Sequence, residues 1–146
     1  MKAISLIQPW ASLIVMGVKK FETRSWKTEY RGNLLIHASS KLPTDFQKDK
    51  FTEGSYFKDY IADMELLPYG VVIGKVNLVG IYRAEDLISP QALFKDVLIS
   101  EHEKALGDYS QGRYAWALEE ALLFKTPIPY RGALGIWEFP DNLLPK

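Results

Sequence analysis

The chain has 146 residues, 47% of them hydrophobic, with 18 basic residues against 18 acidic ones and no cysteine. That length suits one domain with a real core, and the charge balance excludes a global field that would pull in nucleic acid, leaving room only for a local patch. The missing cysteines exclude disulfides, thiolate metal sites and cysteine nucleophiles.

The start, Met1-Lys2-Ala3-Ile4-Ser5-Leu6, has no signal-peptide layout, and no apolar run reaches the roughly 18 residues that span a bilayer. A cytoplasmic protein with no membrane partner is expected. Residues Ala3 to Ile7 read as a first strand. Pro9 suits the first turn of a helix, and Trp10, Leu13 and Ile14 follow at i, i+3, i+4, so that one face of a short helix is apolar. Gly17 stands where such a helix wants a left-handed C-terminal residue.

From Lys20 to Trp26 the pattern turns to period two. Phe21, Thr23 and Ser25 face one way, and Lys20, Glu22, Arg24 and Trp26 the other. Lys19 sits at the turn and can lean to either side. The stretch Gly17 to Arg24 thus gathers a cluster of charges between two apolar elements, an arrangement that points to a cleft lining. Tyr30-Arg31-Gly32 turns the chain, and Leu34-Leu35-Ile36 form the heart of a buried strand that ends in His37.

Residues Ser39 to Tyr69 are the least regular. Pro43-Thr44-Asp45 and the spacing of Phe57, Tyr60, Ile61 and Met64 predict two short helices joined near Gly54-Ser55. Val71 to Tyr82 is the longest strand signal, and its glycines, Gly74 and Gly80, predict bulges or bends. Leu93, Phe94, Val97 and Leu98 give a helical pattern within Pro90 to Ala105. Gly112 to Leu123 alternates around Tyr114 and Trp116, and Ala133 to Phe139 closes the fold. Tyr-Arg-Gly-x-Leu occurs at both Tyr30 and Tyr130, which reads as one turn used twice. The sum is an α+β fold: a small curved sheet or barrel with a few helices.

Gly17-x-Lys19-x-x-Glu22-x-Arg24 resembles the signature of the ASCH domain, a relative of the PUA-like RNA-binding barrels. The resemblance extends to Gln8-Pro9-Trp10, Trp26, Arg31 to Ala38, Gly112 to Trp116 and Arg131 to Trp137, in the expected order along nearly the whole chain. Residues 41–69 fall outside it and read as a variable helical insertion in a single domain spanning 1–146. The resemblance implies a PUA-like β-barrel of about six strands with flanking helices. It also implies a cleft beside the signature strand and an RNA, nucleoside or nucleotide ligand. Some members are small amidohydrolases acting on an acylated cytidine, and others are connected with RNA cleavage. In the amidohydrolase branch the signature lysine pairs with a threonine three residues on; here that position is Glu22.

The candidate site residues follow. Lys19 is either a general base, if an apolar surrounding lowers its pKa, or a phosphate contact or half of an ion pair. Glu22 is its assistant in catalysis, or else the ion-pair partner of Arg24. Arg24 has a planar fork suited to a phosphate or a base edge. Trp26 and Trp10 can stack on a base, with core packing the alternative for both, and favoured for Trp10. Gln8, His37 and Ser39 complete the ligand-binding candidates, His37 having a core role as its alternative reading. Trp116 and Trp137 read as core. Two distant histidines give no zinc spacing, so no metal and no cofactor are implied, and a partner-binding module remains as a third class.

Overall fold

A computed structural model describes residues 1–42, 59–88 and 99–145. Six strands form one sheet: β1 (Lys2–Leu6), β2 (Phe21–Arg24), β3 (Gly32–Ala38), β4 (Val71–Arg83), β5 (Tyr114–Pro129) and β6 (Ile136–Glu138). Their order is β2-β5-β4-β3-β1-β6, with β1 and β3 parallel and every other neighbouring pair antiparallel. The sheet curls as expected, but β2 and β6 remain its two edges. The result is a half-barrel rather than a closed barrel. The short helices are α1 (Trp10–Val15), α2 (Ala84–Ile88) and α3 (Glu101–Ala105).

Helix α1 lies against one face of the sheet. Ala11, Ile14 and Val15 pack with Ile4, Leu6, Leu34, Ile36, Val76, Leu78 and Trp116 in the main core. Alternation along β1 and β3 sends Ala3 and Leu35 to the opposite face, where they meet Val72, Phe139 and Trp137. Being only about two turns long, α1 depends on its ends as well as its packing. The buried Gln8 side chain accepts from Ser12 N at 3.0 Å and donates to Ser12 Oγ at 2.8 Å and to Pro68 O at 2.9 Å. At the other end Gly17 takes φ 77°. Gly17 N donates to Ile14 O and Val18 N to Leu13 O, each at 3.0 Å, which is the paired-bond glycine cap the sequence suggested.

The two glycines of β4 do mark irregularities. Pairing with β5 shifts between Val72 and Gly74, between Lys75 and Asn77, and between Leu78 and Gly80. A Cβ at Gly74 would meet the carbonyl oxygen of Leu122 and lie 2.8 Å from Val15 Cγ1, so this glycine lets α1 close onto the strand.

One expectation is corrected. The Tyr-Arg-Gly echo is not one turn used twice: Gly32 opens β3 at φ 121°, whereas Gly132 has no positive φ and packs against Ser5 and His37. Of the helical pattern in residues 39–69, the described part holds only a 3-10 turn, Met64–Leu66; the remainder, including Gly54-Ser55, lies outside the described residues. The helical pattern through Leu93 to Leu98 also lies outside them. No helix among the described residues is long and apolar enough to cross a membrane.

Gly74→Ala is expected to lower stability by about 1–3 kcal/mol through overpacking. Urea unfolding would register this as a lower midpoint at unchanged slope, and an unchanged midpoint would show that α1 can move off β4.

Candidate functional site

Strand β2 is short and sits at the edge of the sheet. Its alternation is as the pattern predicts: Phe21 packs toward Tyr109 and Ala115, while Glu22 pairs in register with Trp116 and Arg24 with Tyr114. Edge strands need cover for their free backbone groups, and the start of β2 obtains it from Glu103. This buried carboxylate accepts from Lys20 N at 3.0 and 3.2 Å and from Phe21 N at 3.0 Å. Glu103 is held in turn by Ser100, the N-cap of α3, whose Oγ accepts from Glu103 N at 3.1 Å.

Lys19 does not lean into solvent on either side. It is 1% exposed, and its ammonium donates to the carbonyl of Phe21. Burial lowers its pKa, and the nearby carboxylates of Glu22 and Glu103 oppose that shift. Tyr109 borders the same group. Its buried hydroxyl has no hydrogen-bond partner among the described residues, and burial, then Glu103 and Glu22, push its pKa well above the usual phenol value. Lys19, Glu22, Glu103 and Tyr109 therefore form one buried polar cluster around the start of β2, of which Glu22 alone reaches the cleft described next.

In front of that cluster opens a cleft of about 400 Å³. Its floor is β2 and the chain beyond it, from Glu22 to Trp26; one wall is Leu6, Ile7 and Trp10, and the other is Ala105 to Asp108 with Arg113. Trp10 Nε1 donates to Leu106 O at 3.0 Å and ties the walls together. Arg113 donates to Thr23 O at 3.0 Å and lies 3.4 Å from Asp108, while Asp108 N donates to Thr23 Oγ1 at 3.0 Å. Trp116 is 1% exposed. It meets Trp26 edge-on at 4.9 Å between centroids and donates to Trp26 O at 3.2 Å, which sets the Trp26 ring at the cleft. The Arg24 guanidinium lies 5.2 Å from the centre of that ring. Its Nε is buried with no hydrogen-bond partner, and Arg24 makes no ion pair among the described residues.

The structure thus brings together Glu22, Arg24, Trp26 and Trp10, with Lys19 behind rather than in the lining. Gln8 is occupied in anchoring α1. Ser39 accepts from Lys41 N at 3.1 Å, outside the cleft. His37 lies on the other face of the sheet. Its Nδ1 is 3.0 Å from Ser5 Oγ and its Nε2 is 2.7 Å from Tyr130 O, and Trp137 packs edge-on against its ring. Burial lowers its pKa, offset in part by the Tyr130 carbonyl. This is the core histidine of the alternative reading.

Sequence reasoning missed Glu103, Tyr109 and Asp108. Glu103 had a signal: Ser100-x-x-Glu103 is a capping-box spacing, hidden within a stretch read as one continuous helical pattern. Tyr109 and Asp108 have none, because only the fold carries that loop to β2. Among the described residues no group of three or more His, Asp or Glu side chains is arranged to hold a metal ion.

Two outcomes follow from the buried cluster. Glu103→Ala strands two buried amides and is expected to cost about 2–4 kcal/mol in urea unfolding; a loss under about 0.5 kcal/mol would show that water replaces the carboxylate. Between the lowered pKa of Lys19 and its ordinary value of 10.5, the unfolded chain binds more protons than the folded one, so this residue makes stability rise with pH. Thermal unfolding of the wild type and Lys19→Met should therefore shift in favour of the wild type as pH climbs through that window. A constant difference would refute the linkage.

The ASCH domain family matches residues 4–127. Activating signal cointegrator 1 from Homo sapiens is 39% identical over 143 residues, which is 96% of this chain and 22% of that protein. The Mus musculus protein of the same name is 39% identical over 79 residues, covering 52% of this chain and 13% of its own length. The chain therefore spans about a fifth or less of the curated relatives it matches. Among solved structures, an ASCH protein from Zymomonas mobilis superposes with TM-score 0.55 at 16% identity, over 97% of this chain and 89% of its own. A point mutant of that protein gives the same score and identity over 97% and 91%. At that identity the likeness speaks for the fold alone, while the sequence match speaks for descent: the chain belongs to the ASCH domain family.

Proposed function

We propose that the cleft beside β2 binds RNA or a nucleotide-like ligand through Arg24, with Trp26 as a stacking surface. The observation that carries this is the Arg24 guanidinium, which borders the cleft and whose buried Nε has no hydrogen-bond partner among the described residues. A buried donor left unpaired costs free energy, and an acceptor on a ligand would satisfy it. Arg113, the other basic residue of the lining, also has a buried Nε without a hydrogen bond, but it sits 3.4 Å from the Asp108 carboxylate and its guanidinium donates to Thr23 O. Arg24 is thus the cation available for a phosphate or base edge, and its planar fork suits either.

A cleft of about 400 Å³ is the size of a site for one small ligand or one nucleotide. The balanced net charge fits the same scale, since a duplex binder needs a broad basic face. Membership of the ASCH family supports a nucleic-acid ligand as well. Hydrolysis of an acylated nucleoside would require the Lys19 amine to reach the substrate. That group is covered and turned to the Phe21 carbonyl, a geometry that suits positioning of β2, so binding is the reading best supported.

Arg24→Ala is expected to weaken binding of short single-stranded RNA or mononucleotides by about tenfold or more, with an unchanged far-ultraviolet circular dichroism spectrum. Binding by the wild type that survives this substitution undiminished would remove Arg24 from the site.

A further inference from the structure

The cleft holds a second unpaired group that a phosphate site would not want. Glu22 is 9% exposed, lines the cleft, and neither of its carboxylate oxygens has a hydrogen-bond donor among the described residues. Lys19 compensates its charge electrostatically from behind, yet makes no ion pair with it among the described residues. A buried carboxylate facing the lining repels phosphate and calls for N–H donors from whatever enters.

Glu22 and Arg24 stand two residues apart on one strand face, about 6–7 Å along β2. The pair presents two acceptor sites next to a fork of donors, with Trp26 beside the fork. Among the standard bases only guanine has two adjacent donors on its Watson–Crick edge, N1–H and the N2 amine, to meet both oxygens of a carboxylate. Its O6 and N7 then offer the acceptor pair that an arginine fork matches. Adenine and cytosine set a ring acceptor beside their one amine, and uracil flanks its one N–H with two carbonyls, so each brings a lone pair against the carboxylate.

We propose that Glu22 makes the cleft selective for guanine, its carboxylate accepting from N1–H and N2–H while Arg24 donates to the O6 and N7 edge. This rests on the binding reading above and adds to it the identity of the base and the residue that reads it.

The test is a titration of the wild-type protein with GMP, IMP, AMP, CMP and UMP, followed by tryptophan fluorescence and checked by calorimetry. GMP should bind at least about tenfold more tightly than IMP, which lacks only the N2 amine, and more tightly than the other three. Glu22→Gln, nearly isosteric, should erase the difference between GMP and IMP while IMP binding stays within a few-fold of wild type. Equal affinity for all five nucleotides would overturn the guanine assignment and leave the binding reading standing. No binding of any nucleotide or of short single-stranded RNA would overturn both. Because the GMP and IMP comparison is made on the wild type, it decides the matter even if Glu22→Gln folds poorly.

Discussion

Everything at the cleft depends on how the start of β2 is held. An edge strand of four residues has one neighbour, β5, and would fray without cover on its other side. Glu103 supplies that cover by accepting from the amides of Lys20 and Phe21. Charge-assisted bonds of this kind are among the stronger ones a buried carboxylate makes, and Lys19 keeps compensating positive charge close by. With that end fixed, pleating alone turns Glu22 and Arg24 to the same side and Phe21 to the other.

The cluster has a cost that its geometry explains. A buried ammonium and two buried carboxylates lose hydration, which good pairing only partly returns. Hydrophobic residues of similar volume would pack as well. They would not provide an acceptor for two backbone amides, nor a carboxylate with free oxygens at the cleft. The tryptophans complete the arrangement: Trp116 in the core fixes Trp26, and Trp26 supports the Arg24 guanidinium.

The sequence blocks that resemble the family sort into two groups in space. Gln8 to Trp10, Gly17 to Trp26 and Gly112 to Trp116 meet around the cleft and the α1 anchor. Arg31 to Ala38 and Arg131 to Trp137 lie away from the cleft: Leu34 and Ile36 fill the main core, while on the opposite face His37 joins Ser5 and Tyr130 and Gly132 leaves room for the ring. In this chain such residues serve packing remote from the cleft: at Gly132 a Cβ would lie 2.7 Å from the His37 ring.

Much of this was legible from local chemistry. The short helix and its glycine cap follow from Trp10, Leu13, Ile14 and Gly17, since 3.6-residue spacing and a left-handed stop are properties of neighbours in the chain. The face shared by Glu22 and Arg24 follows from strand period two, and the bulges of β4 from glycines in a β-branched run. What neighbours in sequence could not reveal is burial and partnership across long separations. Lys19 reads as a turn residue that can lean to either side until the fold closes over it, Glu103 reaches a strand more than 80 residues away, and His37 meets Ser5 and Tyr130 only because β3 lies beside β1 and the chain beyond β5 returns to it. Period and capping are local energies, written residue by residue; desolvation and pairing exist only after distant segments meet, so the tertiary structure alone decided which charges are buried and which side chains face the cleft.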